Sequence, residues 1–241
     1  MDRLGTSWGT VRLLSMTTST QQEARTLIDA DEPRPFAVIA ETQSSGRGRL
    51  DRVWVAPPSS SILMSVALPR TAHSAALPLH VGVAVASAVR TITAEVRLKW
   101  PNDLVVERPG GLRKLGGIIA EVHADAVIVG IGLNVDMIDD ELPTADAISL
   151  RQLGIAVSRE ALVAAILDAL AGLRSDAPLD RYRELCVTIG EIVEVSRIGS
   201  EPLRGRVTGV DASGALLLTS DHAVQSITAG DVHHVRPGRA E

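Results

Sequence analysis

The sequence predicts a mixed α/β domain, residues 1–187, followed by a small all-β domain, residues 188–241. Three observations carry this. Apolar runs of strand length at 36–40, 62–68 and 126–133 alternate with helix-length patterns. Residues 103–106 and 114–122 read as paired strands joined by a Pro-Gly-Gly hairpin. After Gly190 the chain changes to short apolar runs at 192–195, 203–210, 215–218, 224–227 and 232–235, separated by polar turns, which is the pattern of a small barrel. A length of 241 residues suits one large domain plus a small one.

Composition narrows the function. Hydrophobic residues make up 45% and charged residues 22%, ordinary for a packed core rather than a disordered chain. The net charge of −5 gives the whole molecule no electrostatic reason to bind nucleic acid, so any positive field is local. A single cysteine, Cys186, excludes an internal disulfide and a multi-cysteine metal site. Between Leu185 and Val187 it reads as a small buried apolar residue. The N-terminus has no long apolar core, and the Ala/Val run at 81–89 is too short to span a bilayer. These features predict a cytoplasmic protein with no membrane partner.

In chain order, the Gly5–Gly9 stretch matches the serine-hydrolase elbow in letters only. The elbow needs a preceding strand, and four residues cannot supply one. Residues 11–14 read as a short strand. Thr20 and Glu23 fit a capping box that opens a helix, whose free amides could hold a polar ligand. Leu77 to Ile92 reads as a helix covered on most sides. A strand at 96–98 runs into Lys99, Trp100, Pro101, Asn102 and Asp103, and Pro101 ends regular pairing there. Such a strand-to-loop junction suits binding groups, or simply a turn with an aromatic plug. Lys114 leads a strand beside Gly116 and Gly117, which leave space on that face; an edge lysine of this kind is also often just a solvated charge. Gly130 and Gly132 lack the rest of a dinucleotide fingerprint, and no phosphate-binding P-loop is present. Ser158 caps a helix through about Leu173, and a second short helix holds Tyr182 and Cys186.

The stretch from Glu41 to Trp54 carries the chemistry. Gly46 and Gly48 relax the limits on φ, so the backbone can bend around a ligand. Arg47, Arg49 and Arg52 can grip carboxylate or phosphate oxygens. Trp54 offers a flat face. The residues alone also fit a solvated basic hairpin.

Four stretches, in order, resemble the motifs of bacterial biotin–protein ligases: Gly46-Arg-Gly-Arg49 with Arg52 and Trp54, Lys99-Trp-Pro-Asn-Asp103, Arg113-Lys-Leu-Gly-Gly117, and Gly130-Ile-Gly-Leu-Asn134. The resemblance covers roughly residue 10 to the C-terminus. It implies a class II synthetase-like biotinyl/lipoyl ligase domain, a mixed sheet flanked by helices, with a C-terminal SH3-like barrel. It implies that biotin is activated by ATP to biotinyl-5′-AMP and then passed to a lysine of the biotin carboxyl carrier domain of acyl-CoA or pyruvate carboxylases. Magnesium is expected with the ATP.

Carried over residue by residue, the resemblance makes Lys114, Arg47 and Arg49 the catalytic cations. It places biotin against Ser19, Thr20, Gln21, Gln43, Gly46, Arg47, Gly48, Arg49, Lys114, Gly116 and Gly132. The adenylate falls to Arg47, Arg49, Arg52, Trp54, Lys99, Asn102, Asp103, Lys114 and Asn134, with Trp54 near the adenine. Gln21 stands where the family has Asn, and Asp51 departs from the family's Gly-Arg continuation. Eighteen residues before the Ser-Thr pair are too few for a helix-turn-helix domain, so no repressor activity is expected, and the chain is expected as a monomer or weak homodimer. A lipoate or octanoyl ligase, a biotin-binding module without catalysis, and a nucleic-acid adaptor built on the barrel are the alternative readings.

Overall fold

The computed structural model describes residues 8–50, 52–173, 176–197, 199–220 and 223–235. Asp51 and the serine of the Gly5–Gly9 pattern lie outside the described residues, so the expectations for them do not enter the structure.

The larger unit is built on a seven-stranded sheet in the order β1-β2-β3-β7-β6-β5-β4. Its strands are β1 (Val11–Leu14), β2 (Phe36–Ala40), β3 (Ser61–Pro69), β4 (Arg97–Lys99), β5 (Asp103–Arg108), β6 (Gly111–His123) and β7 (Ala126–Asn134). Only β1 and β2 run parallel; the other neighbours are antiparallel. Helix α1 (Thr20–Asp29) packs Ala24 and Ile28 on one face, against Phe36, Val38, Ala67, Ala126 and Ile128. Full burial of a side chain such as Ile28 contributes roughly 1.5–3 kcal/mol. The other face is covered by α2 (Leu77–Arg90), α3 (Arg159–Ala171) and α4 (Asp180–Leu185), whose apolar residues join Met64, Val66, Ile118, Val129 and Ile131 in the main core. Ser158 caps α3 as expected, its hydroxyl accepting from the Ala161 N–H at 3.1 Å. Among the described residues no helix is long and apolar enough to cross a membrane.

The smaller unit is a five-stranded antiparallel sheet in the order β11-β10-β9-β8-β12, formed by β8 (Ile192–Arg197), β9 (Ser200–Val210), β10 (Leu216–Ser220), β11 (Ala223–Ile227) and β12 (Asp231–His234). All five runs expected after Gly190 are strands. The Asp211–Gly214 turn closes as predicted: the Asp211 carboxylate accepts from the Ser213 and Ala215 amides, and Gly214 takes φ +88.

Trp100 joins the two units. It is 2% exposed, its amide donates to Thr188 Oγ1 at 3.1 Å, and its indole donates to the Gly214 carbonyl at 2.9 Å. Gly214 in turn backs onto Leu79 and Ala76 around the start of α2.

Two local expectations are corrected. The capping box does not form: α1 begins at Thr20 behind Ser19, and Glu23 accepts instead from Thr17 Oγ1. The capping hydroxyl was free to be recruited elsewhere, because Thr20 faces a buried polar partner across the sheet. Cys186 lies just past α4 rather than within it.

Candidate active site

A cavity of about 460 Å³ opens on the α1 face of the sheet, beyond the N-terminus of that helix. This is the size range of a site for a small organic ligand. Its floor is set by strand register. Gly132 of β7 pairs with Leu63 of β3 on one side and Gly117 of β6 on the other, and Gly117 pairs with Asp103 of β5. The next row along is Ser65, Gly130 and Ile119. Two adjacent glycines therefore leave the middle of the floor bare. Residues 46–50 and 52–54 fold back over it as a flap, with Arg47 bridged to Val53 and Trp54 donating its amide to the Gly46 carbonyl. Residues Asp231, Val232 and His233 of β12 close the far wall.

One end of the cavity presents polar groups. The Thr20 amide donates to Gln43 Oε1 at 2.7 Å, and Thr20 Oγ1 donates to the same atom at 3.1 Å. Since an amide N–H can only donate, this contact fixes which end of the Gln43 carboxamide is oxygen. Ser65 Oγ lies 2.8 Å from Thr20 Oγ1 and donates to it, completing the chain. Gln43, which lines the cavity, therefore keeps its NH₂ as a donor. Ser19 Oγ and the Gln21 carboxamide also line the cavity and make no hydrogen bond among the described residues, although both residues are over nine-tenths buried. Neither is among the fully enclosed atoms without a partner, so both remain open to a polar ligand from the cavity.

The other end is cationic. Lys114 and Lys99 both line the cavity. The Lys114 ammonium stands 2.6 Å from Asp103 and 5.9 Å from the centre of the Trp54 ring. Lys99 has no carboxylate within ion-pair distance among the described residues. Burial pulls its ammonium below the usual lysine range, the Asp103 carboxylate opposes that pull, and the Lys114 charge adds to it. Asn134 ties Lys114 to the following segment, its NH₂ donating to the Ile148 carbonyl at 3.1 Å, while its Oδ1 is buried with no partner. The Trp54 indole N–H is likewise buried and unpaired.

The three arginines are tied to the protein in this structure. Arg47 pairs with Glu121 at 3.3 Å, and Glu121 is also gripped by Arg25 through two contacts. Arg49 donates to Asn102 Oδ1 at 3.2 Å and to the Gly230 carbonyl at 3.3 Å, with Asp231 at 3.6 Å. Arg52 pairs with Asp231 as well. The flap is thus pinned to β6 on one side and to the smaller unit on the other.

Every predicted site residue lines this cavity except Gly46 and Gly116. Gly46 is pressed against the Trp54 carbonyl, where any Cβ would collide. Its role is close approach, and the positive φ in the flap belongs instead to Leu50. Gly116 is pressed against the Gly132 carbonyl, and Gly117 takes the place in the floor assigned to it. Trp54 sits over Gly132 and Gly117 in the cavity. Sequence reasoning missed Ser65, Asp231 and His233. Ser65 had a signal, as the one polar residue deep in an apolar run. The two β12 residues had none, because they arrive from a separate unit.

Comparison with known proteins agrees with this geometry. The profile of the biotin/lipoate A/B protein ligase family matches residues 13–137, and that of the biotin protein ligase C-terminal domain matches residues 188–235. The chain is 34% identical to the biotin–acetyl-CoA-carboxylase ligase of Mycobacterium tuberculosis, covering 96% of this chain and 91% of that one. It is 30% identical to the ligase of the same name from Paracoccus denitrificans, covering 91% and 98%. Among solved structures, the biotin protein ligase of Aquifex aeolicus in complex with biotin and ATP superposes with a TM-score of 0.78 at 24% identity, over 95% of this chain and all of that one. The chain belongs to the biotin/lipoate A/B protein ligase family.

Proposed function

We propose that this protein is a biotin–protein ligase that forms biotinyl-5′-AMP from biotin and ATP and passes the biotin to a lysine of a biotin carboxyl carrier domain. The observation that carries the reading is Lys99, a half-buried ammonium with no carboxylate within ion-pair distance among the described residues, in a cavity whose opposite end is lined with amide and hydroxyl groups that have bonds left to make. The ureido ring of biotin offers a carbonyl and two N–H groups, which match the Gln43 NH₂, the Ser19 hydroxyl and the Gln21 carboxamide. A dithiolane ring, as in lipoate, offers none, and leaving such buried groups unpaired costs about 1–3 kcal/mol each.

In the first step a carboxylate oxygen of biotin attacks the α-phosphorus, and pyrophosphate leaves. Two anions must approach each other, and cations that gain strength as charge moves onto the α-phosphate lower that barrier. We assign the leading role to Lys99 ahead of Lys114, because Lys114 is paired with Asp103 and Lys99 has no carboxylate within ion-pair distance among the described residues. Lys114 and the flap arginines complete the cationic end once they exchange their protein partners for ligand oxygens. Asn134 Oδ1 is an acceptor, and the Trp54 indole a donor, for nucleotide or adenylate groups. Closing the flap keeps water from the mixed anhydride.

Magnesium fits as an escort of the nucleotide. Among the described residues no three His, Cys, Asp or Glu side chains converge to hold a metal. Magnesium is commonly held by substrate phosphates with only one or two carboxylates, and it supplies charge neutralisation there. The division into residues 1–187 and 188–241 is supported by the second family profile, which begins at residue 188. A reaction that consumes ATP supports a cytoplasmic setting. The test is incubation with labelled biotin, ATP and a carrier domain. Label on the carrier lysine supports the reading; its absence, or preference for lipoate, overturns it.

A further inference from the structure

The second half of the proposed reaction, transfer to an amine, requires a base, because a lysine side chain arrives as an ammonium ion and only the neutral amine attacks. Few groups on the cavity wall can accept a proton. Asp103 is paired with Lys114, and Asp231 with Arg49 and Arg52. Lys99 is assigned to the α-phosphate, which leaves His233: it lines the cavity, is exposed, and its side chain makes no hydrogen bond or ion pair among the described residues.

Its placement follows from strand geometry. Side chains two apart on a strand share a face. Asp231 reaches the flap arginines, so His233 presents to the same side of β12, and both line the cavity. Imidazole is the side chain suited to exchanging protons near neutrality.

Resting on the biotin–protein ligase reading, we propose that His233 is the catalytic base for the transfer step, a role contributed by the smaller unit. The first proton of the acceptor ammonium passes to the His233 imidazole. The freed nitrogen lone pair attacks the carbonyl carbon of the mixed anhydride. The C–N bond forms, the bond from that carbon to the phosphate oxygen breaks, and AMP leaves with the electron pair. The second nitrogen proton goes to water, and the imidazolium later releases its own. The titratable groups next to His233 are Glu194, opposite it in register on β8, Asp231 two residues before it and His234 beside it; Lys99, Lys114, Asp103, Arg49 and Arg52 stand elsewhere on the cavity wall.

The experiment separates the two steps in the full-length protein. Pyrophosphate exchange measures adenylate formation. Single-turnover transfer from the preformed adenylate to a carrier domain measures the second step. With His233→Ala and His233→Gln, transfer at neutral pH should slow by about 100-fold, a typical contribution of a positioned base. Exchange reports whether each variant is folded and loaded. Raising the pH should restore transfer in the variants, since solvent then deprotonates the amine. Transfer at the wild-type rate in both variants, or a loss that high pH does not restore, overturns the assignment. Failure of the wild type to form any biotinyl adenylate overturns the functional reading instead, which keeps the two failures apart.

Discussion

The Trp54 indole occupies the space that a side chain at position 132 would need: a Cβ built on Gly132 meets the indole ring atoms at 2.7 to 3.0 Å. The flap and the floor therefore fit only because one of them has no side chain. Gly132→Ala should push the indole off the floor and disorder residues 46–54. Overpacking of this kind costs about 1–3 kcal/mol where the neighbour cannot move. The loss should fall mainly on ligand binding, because the flap can lift. The check is biotin affinity by calorimetry alongside thermal unfolding. Unchanged affinity would mean that the indole stands elsewhere.

The two lysines should not be equivalent. Lys99→Ala should lower pyrophosphate exchange by about 100-fold or more, the loss expected for one electrostatic contact to a developing charge. Lys114→Ala should cost less, since its charge is already answered by Asp103 at 2.6 Å. Exchange kinetics of both variants at saturating substrates decide this. A greater loss at Lys114 would return the leading role to it.

Asp231→Asn should loosen the flap without unfolding the protein. The substitution removes the carboxylate that pairs with Arg49 and Arg52. Such pairs near the surface contribute about 0–1 kcal/mol to global stability, so the melting temperature should barely move. Hydrogen exchange of the amides of residues 46–54 should quicken in the ligand-free protein, and biotin plus ATP should slow it again. Exchange identical to wild type in both states would show that the pairs do not restrain the flap.

Stability should decline on mild acidification through the buried His80 and the half-buried His234. Burial holds the His80 imidazole below the usual histidine range; the Asp176 charge opposes this and His73 reinforces it. Burial does the same to His234, reinforced by the Lys99 ammonium. In the unfolded chain both titrate at roughly 6.5. As pH falls through that value the unfolded state takes up protons first, so stability present above it erodes until the lower folded-state value is passed. The Glu41 carboxyl, lowered by its contact with Arg159, acts in a more acidic window: its contribution is present above the unfolded value, roughly 4.3, and is lost below it. Urea midpoints across the mildly acidic range, in wild type and His80→Gln, give the measurement. An equally steep pH dependence in the variant would exclude His80.

Most of the strands, the capped α3 helix and the Asp211 turn were legible because each depends on local pattern. The cavity lining was legible at the level of motifs, since Lys99 and Asn134 end strands and Asn102 lies in the turn after β4; Lys114, expected to lead its strand, instead sits three residues inside β6. Three things were not. The Thr20–Glu23 box reads as a cap, but tertiary contact diverted Thr20 to Gln43 and Ser65. The roles of Gly116 and Gly117 turn on which face each presents. A bulge on β6 shifts its register with β5 between Leu104 and Val105, so Lys114 pairs with Val105 and Gly116 with Leu104. The partners of the flap arginines lie up to 181 residues away, and periodicity carries no information about pairing at that range.

The hydrogen bonds of Trp100 to Thr188 and Gly214 have a bearing on how this chain can be handled. A shortened form ending near residue 187 would strip an indole of its cover and leave that N–H facing solvent at the edge of the ATP-handling wall. Such a fragment should stick to itself and be poor at holding nucleotide, even though it retains all four motif stretches. Any attempt to transplant the larger half onto a different tail must supply a carbonyl for that indole.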